Sequence, residues 1–274
     1  MGFNVLAYGT QGTDTPETRF PYVLTTIADC DPDLLGVQEA CQLGCTKNPE
    51  CTLDWHDKLI CELGALGYGY SALVDQEGFV HEKQGIGSGL MIFYKKDRFV
   101  LRESGCESYP HDPKRYFQWA ILWDKQYDRR ILFTNTHWSI PPKVAGMTSR
   151  VAGDAYCTVE AVRLLGFWHE HCDEQTALFA TGDYNSEPTT PAQTLLRSNR
   201  FQPSYLLAEI GDERNTVNWR NDSHIIDYCY VNPTAQKVRE YHPILRRFET
   251  TGEGARVGYA SDHRAIMTWC DYVK

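Results

Sequence analysis

Carboxylates, amides and histidines recur where apolar, strand-like runs of this sequence end. These residues are Asn4, Gln38, Glu39, Asn135, His137, Asp183, Asn185, Asp227, Asp262 and His263. Side chains at strand ends are commonly presented to a cleft, where they bind ligands or catalyse reactions. Carboxylate oxygens can hold a cation, and histidines can transfer protons. The pattern therefore predicts a site that combines metal binding with acid–base chemistry.

Each of these residues also has a purely structural interpretation. Asn4 could be a hydrogen-bonding residue at a strand end, and Glu39 could be a surface acid. Asp183 could form the turn of a Gly-Asp corner, and His263 could contact the end of a helix or strand. The functional interpretation is favoured by the whole set, in this order along the chain.

The available donor atoms predict a hard cation. Glu39 and Asp262 supply carboxylate oxygens of the kind that Mg²⁺ and Mn²⁺ prefer. Too few cysteines and histidines accompany them to favour a softer metal. We therefore expect Mg²⁺, with Mn²⁺ as the alternative.

Strands and helices alternate along the whole chain and must position these residues. Hydrophobic periodicity predicts strands at 3–8, 33–38, 88–94, 99–103, 116–123, 130–137, 177–182, 225–231 and 265–269, and helices at 16–29, 52–63, 148–171 and 190–197. In the longest helix, the apolar residues Val151, Val159, Val162, Leu165 and Phe167 or Trp168 are expected to pack on a sheet. The elements predict two sheets with outer helices. Because the sequence shows no repeat, low-complexity segment or linker, residues 1–274 are expected to form a single domain.

Composition and charge exclude several classes of protein. The chain of 274 residues is 42% hydrophobic, which suffices for a large core and excludes disorder, collagen and coiled coil. The longest apolar stretches fall far short of the ~18 residues of a membrane span. The net charge of −9 argues against a wide basic surface for nucleic acid, although residues 95–130 carry nine basic and six acidic side chains. A phosphate substrate held through metal ions remains compatible with this charge.

The ten cysteines point to an oxidising compartment. Cys41, Cys45, Cys51 and Cys61 lie close in sequence, and the segment 45–51 has the turn-forming composition of a small disulfide loop. We expect most cysteines to be paired and the protein to be secreted or lumenal, with a cytoplasmic location as the alternative. The sequence shows no signal peptide, so a secreted protein would be present here in its mature form.

Seven short motifs carry a resemblance to a known family. They are Phe-Asn-Val-Leu at 3–6, Leu-Gly-Val-Gln-Glu at 35–39, Ser-Gly-Leu-Met-Ile-Phe-Tyr at 88–94, Asn-Thr-His-Trp at 135–138, Thr-Gly-Asp-Tyr-Asn-Ser-Glu-Pro at 181–188, Ile-Asp-Tyr at 226–228 and Ser-Asp-His-Arg-Ala at 261–265. In this order the sequence resembles the endonuclease/exonuclease/phosphatase superfamily of deoxyribonuclease-I-like phosphoesterases. The resemblance implies an α/β fold that is a four-layered sandwich, with two mainly antiparallel mixed sheets packed face to face and helices outside.

The resemblance also implies roles for individual residues. Glu39 would be the principal metal ligand, joined by Asp262, and Asn4 would hold Glu39 or a metal-bound water. Asp183 would activate the nucleophile, and Asn185 would donate to the phosphate. Departures are small: Tyr184 replaces the more frequent phenylalanine.

Two histidines and one arginine complete the implied site. Asp227 would orient one ring nitrogen of His263 so that the other faces the phosphate. His137 would donate to a phosphate oxygen or protonate the leaving group, and Arg115 would reach the phosphate. The general base could be Asp183, His263 or His137.

The family implies a reaction but not a substrate. We expect a phosphodiesterase that uses an activated water, with DNA or RNA as the first substrate to consider and a monomer as the active form. The alternative is a sphingomyelinase-like or small-molecule phosphoesterase. An inactive relative that binds a partner through residues 41–61 is a more distant alternative, because every expected catalytic residue is present.

Overall fold

Fourteen strands and five helices occupy the residues that the computed structural model describes, which are 1–7, 14–40, 53–72, 89–140, 149–211, 215–218, 224–249 and 257–273. The strands are β1 (Gly2–Asn4), β2 (Leu34–Gln38), β3 (Tyr68–Ser71), β4 (Met91–Lys95), β5 (Phe99–Tyr109), β6 (Asp112–Asp124), β7 (Arg129–His137), β8 (Ala177–Asp183), β9 (Gln202–Pro203), β10 (Asp227–Val231), β11 (Gln236–Ile244), β12 (Arg247–Glu249), β13 (Val257–Tyr259) and β14 (Ala265–Tyr272). The helices are α1 (Pro16–Cys30), α2 (Trp55–Ala65), α3 (Ser149–His171), α4 (Pro191–Arg197) and α5 (Ser204–Leu207).

Two six-stranded sheets form the framework. The first has the order β11-β14-β1-β2-β4-β3, and the second has the order β5-β6-β7-β8-β10-β9. Within the described residues, each sheet contains one parallel pair, β1–β2 in the first and β7–β8 in the second, and the other pairs are antiparallel. The predicted architecture of two mainly antiparallel mixed sheets with helices is confirmed.

The two sheets approach each other closely through small and polar side chains. A Cβ atom added to Gly36 on β2 would lie 2.2 Å from Oγ1 of Thr181 on β8, so only glycine fits there. Nearby, Nε2 of Gln38 donates to Oδ1 of Asn135 at 2.5 Å, and Nδ2 of Asn135 donates to the Val37 carbonyl at 2.8 Å. Gln38 and Asn135, which the sequence placed among the candidate site residues, thus hydrogen-bond the sheets together.

Helix α1 begins where its sequence predicts. Pro16 occupies the first turn, and Oγ1 of Thr15 accepts a hydrogen bond from the Thr18 amide at 3.4 Å. The buried residues of α1 include Phe20, Val23 and Ile27, which belong to the core beneath the first sheet. The prediction of a helix at 16–29 is therefore confirmed within one residue.

The buried face of α3 agrees with the predicted face at Leu165, Phe167 and Trp168 and differs from it at Val159 and Val162. Val159 and Val162 are 40% and 58% exposed, and the side chain of Val151 lies outside the described residues. The buried positions of this helix are Cys157, Glu160, Ala161, Leu164, Leu165, Phe167 and Trp168. They follow the expected helical spacing, but a fully buried glutamate stands among them. The pattern was misassigned because a glutamate is normally expected on the solvent face.

The first strand is shorter than predicted. It ends at Asn4 because Leu6 adopts a positive φ of 49°, which turns the backbone out of the extended conformation. The amide of Leu6 then donates to Oδ1 of Asn4 at 3.1 Å. The last predicted residue of this strand, Tyr8, lies outside the described residues.

The expected disulfides are not found in the described part of the chain. None of its seven cysteines forms a disulfide: Cys30, Cys61, Cys106, Cys157, Cys172, Cys229 and Cys270. Cys41, Cys45 and Cys51 lie outside the described residues, so the prediction that most of the ten are paired is wrong. Several of these thiols are buried in the core, where cysteine acts as a small apolar side chain.

Within the described ranges, every helix is too short or too polar to span a bilayer.

Candidate active site

The predicted site residues meet at one end of the sheet sandwich. In the first sheet, the parallel strands β1 and β2 end together and place Asn4 beside Glu39. In the second sheet, His137 at the end of β7 lies opposite Asp183 at the end of parallel β8. The antiparallel strand β10 begins at Asp227, which also lies opposite Asp183. All five side chains are buried.

Asn4 joins the two sheets at the centre of this cluster. Its Nδ2 atom donates to Oε1 of Glu39 at 3.2 Å and to Oδ2 of Asp183 at 3.0 Å. Its Oδ1 atom accepts the Leu6 amide, which fixes the orientation of the side-chain amide. Asn4 thereby holds two carboxylates close together, as its predicted role of holding Glu39 requires.

The backbone at Glu39 adopts an uncommon conformation. Glu39 has a positive φ of 62°, in the left-handed region that favours glycine or asparagine. Gly89 packs against it with its own positive φ of 43°, and a Cβ atom there would lie 2.4 Å from the amide nitrogen of Ala40. Gly89 is therefore required for the approach that aims Glu39 at the site.

His137 faces the two carboxylates. Its Nε2 atom lies 3.7 Å from Oε1 of Glu39 and 3.6 Å from Oδ2 of Asp183. Nη1 of Arg115 donates to the His137 carbonyl oxygen at 3.2 Å. The structure thus brings Arg115 next to the site, where it contacts the backbone of His137.

His263 and Asp227 form a buried pair on the opposite side of Asp183. Nδ1 of His263 lies 2.9 Å from Oδ2 of Asp227 and 3.1 Å from Oδ1. The other ring nitrogen, Nε2, lies 3.7 Å from Oδ2 of Asp183 and 3.9 Å from Oδ1 of Asp262. The predicted pairing of His263 with Asp227 is present, with Nε2 directed towards the acidic cluster.

Burial and charge shift the pKa values within the cluster. Burial raises the pKa of Asp183 to about 6, and the Asp227 charge adds to that rise while His263 opposes it. Burial also raises the pKa of Asp227. For His263, burial opposes protonation, but the carboxylates of Asp227, Asp183 and Asp262 raise its pKa well above the usual value. An imidazolium at His263 is thus held among several acidic groups.

Asn185 extends the cluster towards the chain segment after β7. Its backbone amide donates to Oδ1 of Asp183 at 2.9 Å, and its Nδ2 donates to the Trp138 carbonyl at 2.9 Å. Asn185 has a positive φ of 46°, which its short polar side chain tolerates. The second hydrogen on Nδ2 is chemically suited to a phosphate oxygen, the role predicted for this residue.

The donor atoms fit a divalent cation. One ligand atom from each of Glu39, His137 and Asp183 lies within 4.8 Å of the others, and Asp183, Asp227 and His263 form a second such group. Asp262 belongs to neither group, and its half-buried side chain is more exposed than the others. The carboxylate oxygens of these groups match the preference of Mg²⁺ and Mn²⁺ for oxygen ligands.

Arg19 supports the site and was not predicted. This fully buried arginine on α1 donates to the carbonyls of Val5 at 3.0 Å and Ala260 at 2.9 Å, and also to the carbonyl of Leu6. It therefore connects the turn after Asn4 to the segment before Asp262. No local signal marks it, because an arginine in an amphipathic helix is normally exposed.

Solved structures with the same fold include enzymes that act on phosphate esters. A mannosyl-6-phosphatase from Bacteroides thetaiotaomicron shares 19% identity over 98% of both chains, with a TM-score of 0.73. The human Nocturnin catalytic domain with bound sulfate shares 21% identity over 99% of this chain and 92% of that one, with a TM-score of 0.69. TDP2 of D. rerio with a single-strand DNA product shares 14% identity over 100% of this chain and 97% of that one, with a TM-score of 0.65. At these identities, the likeness establishes the fold.

The comparison of sequences assigns the family. No curated protein sequence matches the chain. The model of the Endonuclease/Exonuclease/phosphatase family matches residues 1–263, which include all the site residues described above. The chain therefore belongs to the endonuclease/exonuclease/phosphatase family.

Proposed function

We propose that this protein is a Mg²⁺-dependent phosphoesterase that hydrolyses phosphodiester bonds by in-line attack of water. The observation that carries the proposal is the buried network in which Asn4 bridges Glu39 and Asp183 while Asp227 orients His263. The cluster thereby combines an oxygen ligand for a cation, Glu39, with a group that can accept a proton, Asp183. It also contains a positively charged hydrogen-bond donor, His263. This combination is what the hydrolysis of a phosphate ester needs.

Glu39 and His137 would hold the cation, with Asp183 and Asp262 nearby. When bound there, the cation would neutralise charge on phosphate oxygens and lower the pKa of a water. Asp183 accepts the proton of the attacking water, because a carboxyl group with a pKa of about 6 is mostly ionised at neutral pH. Asn4 and the Asn185 amide keep the Asp183 oxygens in position for this transfer.

His263 provides positive charge on the side facing Asp183. Asp227 binds its Nδ1, so Nε2 is the nitrogen directed into the site. A protonated His263 donates from Nε2 to a phosphate oxygen and stabilises the charge that develops during attack.

For the substrate, a nucleic acid is the first candidate and a small phosphate ester is the second. One observation favours the second: although Arg115 contacts the His137 backbone, many other basic residues of the stretch 95–130 lie at the opposite end of the second sheet. Arg129 begins β7 whereas His137 ends it, so they are roughly 25 Å apart along the strand. Lys95 pairs with Asp31, and Arg98 pairs with Asp33 and Asp124, so these two charges are partly neutralised.

A panel of substrates tests the proposal. Single-stranded DNA, RNA, bis-p-nitrophenyl phosphate, mannose 6-phosphate and sphingomyelin are incubated with the protein and Mg²⁺, with and without chelator. We expect chelator-sensitive hydrolysis, and for a nucleic acid a rate that falls with monovalent salt. If the protein cleaves a small phosphate ester but neither DNA nor RNA, the small ester is the better candidate for the substrate. Absence of Mg²⁺-dependent hydrolysis for every substrate would refute the proposed activity.

A further inference from the structure

A second buried polar cluster lies behind His137, outside the residues of the proposed reaction. Glu160 on α3 is 0% exposed, and its carboxyl group accepts the Ser139 amide at 3.1 and 3.2 Å and the Ser139 hydroxyl at 2.8 Å. Nε2 of His111 lies 3.3 Å from Oε1 of Glu160 and 3.1 Å from Oγ of Ser139. Glu160 therefore anchors Ser139 to helix α3.

The anchored segment carries two contacts of the active site. Trp138, which precedes Ser139, donates its amide to the Asp183 carbonyl at 2.9 Å. Its own carbonyl accepts Nδ2 of Asn185 at 2.9 Å. A shift of Ser139 would therefore move the atoms that orient Asn185 and the end of β8.

The bonding pattern around Glu160 suits a carboxylate. An ionised Glu160 can accept the Ser139 amide, the Ser139 hydroxyl and an N–H of His111 together, whereas a protonated one must use an oxygen as a donor. Burial opposes ionisation and raises the pKa of Glu160 to about 7, although the bonds from Ser139 oppose that rise. A change in the protonation of Glu160 would therefore change the bonds that it makes with Ser139.

Other charged and titratable groups face this cluster from neighbouring strands. Arg115 on β6 favours the ionised form of Glu160, and Asp112 on the same strand disfavours it. The Tyr109 hydroxyl lies in the same region on β5, and burial raises its pKa well above the usual value, so it stays neutral. Burial lowers the pKa of His111, which is therefore neutral when Glu160 titrates.

We propose that Glu160 is a positioning residue that holds the His137–Ser139 segment against α3, and that its ionisation tightens this hold and improves the alignment of Asn185. The role rests on the proposed phosphoesterase activity. It assigns a function to a buried carboxylate that the reaction itself does not use. Glu160 acts through Ser139 and Trp138, without contact with the substrate.

The kinetic test compares wild type with Glu160→Gln at pH 6 and pH 8.5, using bis-p-nitrophenyl phosphate and saturating Mg²⁺. Glutamine keeps the shape and one acceptor but cannot ionise. We expect kcat values within twofold at pH 6 and a wild-type advantage of about fivefold at pH 8.5. Taking the ratio at each pH cancels the titration of groups common to both proteins. Glu170→Gln, on an exposed position of the same helix, should equal wild type at both pH values.

The second measurement is thermal unfolding, which needs no activity. Between pH 4.5 and about 7 the folded protein keeps the proton on Glu160 and the unfolded chain does not, so rising pH destabilises wild type. The Glu160→Gln variant has no carboxyl group at this position, so its stability does not fall for this reason as the pH rises. The Tm difference between variant and wild type should therefore grow by about 3 °C or more from pH 5 to pH 8.5.

The outcomes separate the two proposals. An active wild type with a kcat ratio that does not change with pH overturns the positioning role and leaves the phosphoesterase intact. A Tm difference that does not change with pH also overturns it. A wild type without Mg²⁺-dependent hydrolysis refutes the proposed function, and the role of Glu160 falls with it.

Discussion

Nδ1 of His263 lies 2.9 Å from Oδ2 of Asp227, although the two residues are 36 positions apart in sequence. Strand β10 begins at Asp227, and His263 directly precedes the segment that leads into β14 in the other sheet. The pair therefore forms only when the two sheets are packed together. Because Asp227 occupies Nδ1, the nitrogen of His263 that is directed towards Asp183 and Asp262 is Nε2.

The pair predicts a strongly non-additive double-mutant cycle. Asp227→Asn should lower kcat chiefly by releasing the imidazole, and His263→Ala removes the imidazole itself. The double variant should therefore be about as slow as His263→Ala alone. The measurement is kcat for bis-p-nitrophenyl phosphate in all four proteins. Losses that multiply would show that Asp227 acts independently of His263.

Glu39→Gln should weaken Mg²⁺ binding because it removes a charged oxygen ligand but keeps the side-chain shape. We expect the apparent affinity for Mg²⁺ to fall at least tenfold and the activity at saturating Mg²⁺ to fall by orders of magnitude. Calorimetric titration with Mg²⁺ measures the affinity directly, and Glu174→Gln on the exposed surface serves as the control. Unchanged affinity and near-normal activity would remove Glu39 from the metal site.

Gly89→Ala should damage the protein, because its Cβ atom would meet the backbone of Ala40 at a positive φ. We expect a loss of about 1–3 kcal/mol in the free energy of unfolding, together with weaker Mg²⁺ binding. Gly166→Ala is the matched control. Gly166 lies in helix α3 with nothing within 4 Å of an added Cβ atom, so alanine should stabilise by about 0.5–1 kcal/mol. Chemical denaturation compares the two, and equal effects would contradict the packing described at Glu39.

The free thiols give a direct chemical prediction. Titration of the denatured, unreduced protein should detect at least the seven thiols of the described residues. A count below seven would mean that some of these cysteines form disulfides, contrary to the structure. It would also restore the argument for an oxidising compartment.

Much of the fold could be predicted because most strands are recognisable in the sequence as apolar runs with polar residues at their ends. Strand β11 was missed, since Pro243 interrupts its pattern, and proline is tolerated there because β11 is an edge strand. On α3 the second half of the expected face was correct, but Val159 and Val162 are exposed and Glu160 is buried. Periodicity assumes that buried residues are apolar, and it fails where a polar residue is buried with partners.

The candidate site was predicted as a set of motifs, but its supporting contacts were not. Glu39, Asp183 and His263 are recognisable because they follow strands in a family order. Arg19 and Glu160 hold the site through contacts to backbone atoms far away in sequence. Such contacts depend on the tertiary arrangement and leave no local pattern.

The buried acidic cluster around Asp183 is proposed to hydrolyse phosphodiesters with a divalent cation. The most direct measurement is the rate of bis-p-nitrophenyl phosphate hydrolysis by wild type, Asp183→Asn and the exposed control Asp97→Asn, each with Mg²⁺ and then with chelator. We predict that wild type and Asp97→Asn hydrolyse the ester, that chelator abolishes the activity and added Mg²⁺ restores it. Asp183→Asn should be slower by about 100-fold or more. Hydrolysis that survives the chelator, or an Asp183→Asn variant as fast as wild type, would show that the cluster is not a metal-dependent phosphodiesterase site.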